Sequence, residues 1–236
     1  MLAICRLSQL CLGLLFFGTL AAHEPTADER VDRRTQEALS LDANAQRGQV
    51  IFQGHCASCH GRAALGDAQR VIPALAGQRF KYLIRQIANF SGHERDGPVM
   101  RHVLSAPLLK SPQAWVDIAF YLNRLRPLQR PQQGSGTYAA LGRGIFQEQC
   151  VSCHQPGAQG DAEGFVPSLN HQHYAYLASQ MEDLGDKLRY NVDEELTRFM
   201  HTLDARDRDG LADYISRLPD RATTARRMRD DGAVVN

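Results

Sequence analysis

The sequence predicts an all-α protein built from two tandem copies of one small helical module. Three observations carry this. Residues 94 apart repeat without a gap from Gly48 to Gln86. Apolar residues recur at helical spacing, and no convincing run alternates as a half-buried strand would. A Cys-x-x-Cys-His motif occurs once per copy, as Cys56-Ala57-Ser58-Cys59-His60 and Cys150-Val151-Ser152-Cys153-His154.

At the N-terminus, Arg6 precedes an apolar run from Leu10 to Leu20, and Thr19-Leu20-Ala21 supplies small residues of cleavage-site type. Residues 1–21 read as a secretory signal peptide, giving a mature chain that starts near Ala22 in the periplasm. The run is short for a membrane span, and an uncleaved anchor is the alternative. Cys5 and Cys11 lie in this leader and receive no role. The remaining four cysteines all belong to the two motifs.

Residues 22–45 are polar and charged and read as an N-terminal extension, helical near Gln36 to Leu39. Domain one is expected over 46–127. In it Gly48, Phe52 and Cys56 are four apart on one helix face. Leu83, Ile84, Ile87 and Phe90 form a second stripe, and Trp115, Ile118, Ala119, Leu122 and Leu125 a third. Pro127, Pro131 and Gly134-Ser135-Gly136 mark a linker over 128–139. Domain two is expected over 140–219, its closing stripe being Leu211, Tyr214, Ile215 and Leu218. Residues 220–236 read as a charged, solvated C-terminal tail. The formal net charge of +1 argues against a nucleic-acid partner.

Cys-x-x-Cys-His is the pattern for covalent haem attachment. Two thiols form thioethers to one porphyrin edge, and the following His60 or His154 becomes an axial iron ligand. A lone Cys-x-x-Cys could instead be part of a disulfide or half of a zinc site. Duplication with His at the same place, and no further Cys outside the leader, favour two haems c held by Cys56, Cys59, Cys150 and Cys153.

With the two motifs, a Pro-x-Leu segment after each, a Tyr-Leu-x-x-Gln helix, a later Met and a closing Tyr-bearing helix, the chain resembles a dihaem class I cytochrome c of the cytochrome c4 type. The resemblance spans roughly residues 46–219. It implies a helical fold wrapped around each haem and a Met thioether as second axial ligand. It also implies that the carbonyls of Pro73 and Pro167, each 13 residues after its His, accept from the ligating imidazoles. Met100 is the one Met of the first copy, and Met200 precedes the last helix of the second. Met181 matches Ile87 in an apolar stripe and reads as core. His102 and His201, close to these methionines, stay open as bis-His alternatives. His171 and His173 have no counterpart in the repeat, and His23, His55 and His93 read as solvent-facing. Gly48 and Phe52, like Gly142 and Phe146, fit a crossing of first and last helices against Tyr121 and Tyr214, where Gly permits close approach.

With both irons six-coordinate, the resemblance implies a carrier of single electrons and not an enzyme. Its partners would be a quinol-oxidising complex, a terminal oxidase or a periplasmic dehydrogenase, met in transient contacts with membrane complexes. The alternatives are a dihaem enzyme of peroxidase or thiosulfate-oxidising type, and the dedicated electron acceptor of a sulfur-compound dehydrogenase. An enzyme would need an open or unusual iron ligand, and the sequence offers no extra Cys for one.

Overall fold

The computed structural model describes residues 26–186, 188–189 and 191–218. The leader, its cleavage site and the 220–236 tail lie outside the described residues. The described chain is helical, and a single antiparallel bridge joins Asp67 to Ile72.

Module one contains α2 (Ala45–His55), α3 (Ala57–His60), α4 (Phe80–Gly92), α5 (Pro98–Leu104) and α6 (Pro112–Arg124), preceded by α1 (Ala27–Leu39). Module two contains α7 (Ala139–Ile145), α8 (Val151–His154), α9 (Tyr174–Gly185), α10 (Glu194–Thr202) and α11 (Ala205–Ser216). A single π-turn, Phe146–Cys150, joins α7 to α8. Such turns are rare and concentrate at functional positions.

Helix α1 differs from the expected extension. Thr26 and Glu29 form a capping box that starts a 13-residue helix. Its apolar side is narrow, with Val31, Thr35 and Ala38 buried against α4 and α6. Arg34 stacks over the Trp115 ring at 4.2 Å and donates to the Lys110 carbonyl at 2.6 Å. In module two, Arg208 stands where module one has Trp115. It reaches across Gly185 and pairs with Asp186 at 2.8 Å. A polar pair closes in module two the place that α1 closes in module one. Val31→Asp should put an unpaired carboxylate into a site with 1% exposure. That costs several kcal/mol, on the order of 3 or more, which exceeds what docking one short helix supplies. The expected result is protease cleavage within 27–39 and loss of about 13 residues of helical circular dichroism, with module two unchanged.

In each module the first helix crosses the last. At Gly48 a Cβ would fall on the Asp117 carbonyl, and at Gly142 on the Gly210 carbonyl. One turn on, Phe52 meets Tyr121 with ring centroids 5.7 Å apart, and Phe146 meets Tyr214 at 5.6 Å. Both phenylalanines are fully buried and anchor separate cores. Met181 lies in the second core.

The modules meet through matched contacts. Gln78 donates to the Ser168 carbonyl and accepts from the Ser168 N–H, both at 2.8 Å. Its repeat partner Gln172 donates to the Ala74 carbonyl at 3.0 Å and accepts from the Ala74 N–H at 2.9 Å. Arg79 donates to the Gln159 carbonyl at 2.7 Å, and His173 Nε2 bonds the Leu65 carbonyl at 3.0 Å. Residues 74, 78, 65 and 79 correspond to 168, 172, 159 and 173 at the 94-residue offset. The contact is therefore a pseudo-twofold, in which each module offers the other the same patch. The linker is tied down as well. Tyr174 and Ala175 donate their N–H groups to Gln132, and His171 bonds the Leu128 carbonyl at 2.8 Å.

Candidate haem sites

Each motif cysteine pair sits on a helical turn that bends sharply after the His. Gly61 has φ +77° and Gln155 φ +65°, ending α3 and α8 in the left-handed region. The loop that follows curls back identically in both modules. Gly66 N–H donates to the His60 carbonyl and Gly160 N–H to the His154 carbonyl, each at 3.0 Å. Leu75 donates to Ala64 and Leu169 to Ala158, each at 2.8 Å. Gly66 and Gly160 have φ +74° and +67°, and a Cβ on either would strike the loop's own backbone. Glycine is required there so that the loop can close.

That closure brings the proline carbonyl over the imidazole of the motif histidine. His60 Nδ1 lies 3.1 Å from Pro73 O, and His154 Nδ1 lies 3.1 Å from Pro167 O. Burial pushes both imidazoles below the ordinary histidine range, against a smaller opposing effect of the proline hydrogen bond. A neutral ring that donates through Nδ1 keeps its Nε2 lone pair for a metal. All four cysteines are free, with no disulfide between them. Burial, with the neighbouring Cys thiol adding to it, pushes Cys56 and Cys150 up to about 11. A thiolate is disfavoured at those positions, and conversion to a neutral thioether removes that penalty. The donor set fits a covalently attached haem in each module.

The two candidate methionines occupy matching elements. Met100 is half-buried on α5 and packs on the first core, while Met200 is buried on α10 in the second. His201 uses Nδ1 on the Gly185 carbonyl at 2.8 Å, at the end of α9. His102 is exposed on α5. His173 has both ring nitrogens engaged, Nδ1 accepting from the Gln132 N–H at 3.1 Å. His171 and His173 thus brace the linker and the interface.

One group of residues escaped the sequence reading. Arg95 is buried, and its guanidinium donates to Gln86 at 2.7 Å, to Tyr176 at 2.8 Å and to Gln180 at 2.6 Å. Arg189 mirrors it, donating to Gln180 at 2.8 Å and Tyr82 at 3.2 Å. Both line a cavity of about 160 Å³ between the modules. Among the described residues neither pairs with a carboxylate within 4.0 Å. Burial alone would raise the Tyr82 phenol, but the charges of Arg189 and Arg95 outweigh it and lower it. Arg95 and Arg189 are 94 residues apart, so the repeat offset extends nine residues past Gln86 and could have found them.

Two helical modules, each with a Cys-x-x-Cys-His turn and a proline-held imidazole, define a dihaem c-type electron carrier. The cytochrome c family profile matches residues 45–125 and 139–219. The chain belongs to the cytochrome c family, and it carries two covalently bound haems c. It is 32% identical over 198 residues to cytochrome c4 of Stutzerimonas stutzeri, covering 75% of this chain and 89% of that one. It is 31% identical over 170 residues to a thiosulfate dehydrogenase electron acceptor of Thiomonas intermedia (strain K12), covering 68% and 75%. Reduced recombinant cytochrome c4 of Pseudomonas stutzeri superposes with a TM-score of 0.66 at 27% identity, over 75% of this chain and all of that one.

Proposed function

We propose that the protein is a periplasmic carrier of single electrons and not an enzyme, with His60 and Met100 on one iron and His154 and Met200 on the other. The observation that supports this most is the twin imidazole geometry. Both rings are held by a proline carbonyl at 3.1 Å, and both modules place a methionine on the helix before the last. A thioether in the sixth position favours the ferrous state and keeps small substrates from the iron. The haem supplies the electron-accepting iron; the chain holds the proximal ring neutral and oriented, encloses it, and fixes the two modules against each other. Arg95, buried, and Arg189, half-buried, neither in an ion pair among the described residues, suit the carboxylates of the two haems. No helix among the described residues is long and apolar enough to cross a membrane.

A dedicated electron acceptor of a sulfur-compound dehydrogenase is the second reading. The relative from Thiomonas intermedia, which bears such a name, favours it. Intact-mass measurement of the periplasmic protein should show a chain beginning near Ala22 with two haem additions that survive acid–acetone extraction. The same preparation should turn over neither peroxide nor thiosulfate alone. Turnover of either would replace the carrier with an enzyme.

A further inference from the structure

Each module closes the segment that carries its methionine with a guanidinium, but the two guanidiniums come from different places. In module two it belongs to Arg208, on the closing helix α11. Its Nε donates at 3.1 Å to the carbonyl of Leu203, the residue before the α11 cap Asp204. It also lies across Gly185, at the end of α9, and pairs with Asp186 at 2.8 Å. In module one the same place on α6 is taken by Trp115. Its fully buried indole donates to the Leu109 carbonyl at 2.6 Å. The next carbonyl, that of Lys110, is left to another donor. Arg34 of α1 supplies it: Nη2 donates there at 2.6 Å, and Nη1 donates to Ser91 Oγ at 3.3 Å.

The correspondence holds residue for residue. The closing helices are offset by 93, as the ring partners Tyr121 and Tyr214 and the caps Ser111 and Asp204 show. That offset carries Lys110 to Leu203 and Trp115 to Arg208. The 94-residue offset of the earlier helices carries Ser91 to Gly185 and Gly92 to Asp186. Arg34 and Arg208 therefore bond the same carbonyl and meet the same turn of the facing helix. Arg208 lies inside the residues matched by the cytochrome c profile, and Arg34 lies before them.

We propose that Arg34 is a positioning residue for the Met100 ligand, and that α1 is a strap of module one that holds the methionine segment shut. This rests on the reading of Met100 and Met200 as iron ligands. From Met100 to Lys110 the chain is a run of helical turns, α5 followed by the 3-10 turn Pro107–Lys110. Asp96 ties its start by pairing with Arg101 at 2.7 Å. Trp115 and Arg34 tie its end. Groups beyond a metal ligand that fix its support also decide how firmly it stays on the metal. A planar, charged fork can serve Ser91 and the Lys110 carbonyl together, which a single donor cannot. Module two keeps this clamp within its own last helix, so only the His60 haem depends on the N-terminal helix.

The test uses the ferric two-haem holoprotein and imidazole, which reaches an iron only when its thioether leaves. Binding is followed by stopped flow, together with the far-red band of Met–iron ligation. Arg34→Ala should speed binding at one haem about tenfold, the worth of one charged hydrogen bond, and leave the other within about twofold. Arg208→Ala should act on the other haem alone. In Met100→Ala that thioether is already gone, so adding Arg34→Ala should change nothing further. Arg34→Gln keeps a good helix former and one donor, and should give a smaller change at the same haem if the alanine variant does not fold. An unchanged imidazole rate at that haem in a folded Arg34 variant overturns the proposal. So does an equal effect on both haems, or an undiminished effect of Arg34→Ala in the Met100→Ala background. Failure of the ligand reading itself would look different: Met100→Ala alone would leave the far-red band and the imidazole rates unchanged.

Discussion

Gly142→Ala is expected to lower the thermal midpoint of the holoprotein by about 5–10 °C, whereas Gly144→Ala should leave it unchanged or raise it. Both glycines lie on α7, two residues apart. A Cβ at 142 would fall on the backbone of Gly210 and Leu211 in α11, which has no flexible side chain to give way. The helices must separate, which also loosens Phe146 from Tyr214 and from the second core. Overpacking of this kind costs about 1–3 kcal/mol, and a domain of this size loses about 2–4 °C per kcal/mol. At 144 a Cβ meets nothing within 4 Å. There alanine brings only its helix preference, about 0.5–1 kcal/mol in its favour. Gly48→Ala against Gly54→Ala repeats the contrast in module one, where Asp117 takes the place of Gly210. Equal melting of Gly142→Ala and Gly144→Ala would mean that the crossing is not packed as described.

The second large effect concerns the iron. Met100→Ala and Met200→Ala should each remove about half of the weak far-red band that marks Met–iron ligation in the ferric protein. Each should also lower one midpoint potential, by on the order of 100 mV within the roughly 0.8 V that axial ligands command. Met200→Ala carries an added structural cost, because that side chain is 2% exposed in the second core. Its cavity should destabilise module two by about 2–5 kcal/mol. Met100 is half-buried, so its replacement should disturb the spectrum more than the stability. An unchanged band and unchanged potentials in either variant would move the assignment to His102 or His201.

The parts that were legible in the sequence are those that one residue type forces. Cysteine pairs followed by histidine, glycine beneath a helix crossing, and the prolines 13 residues after each motif histidine all recur at one offset. Helix α1 was not legible beyond its last turn because its buried stripe is Val31, Thr35 and Ala38, too small and too polar to stand out from its charged surroundings. What holds it is tertiary: Arg34 on Trp115, and Val31 against Gly92. The module interface escaped for another reason. Gln78 and Gln172 were visible as a repeated pair, but a repeat shows that two residues are equivalent and not that each binds the other copy's backbone. The paired arginines Arg95 and Arg189 share the same offset but stand nine residues beyond Gln86 and Gln180, across a stretch with no other identity.

The matched Gln78 and Gln172 contacts also set a limit on growth. A head-to-tail joint leaves one free end and lets an array lengthen, as in solenoids. Here the same patch is used on both copies, and each occupies the other's. A closed, self-complementary joint of this kind is the arrangement of a twofold dimer. A third copy fused to this chain would find that patch already occupied on both modules.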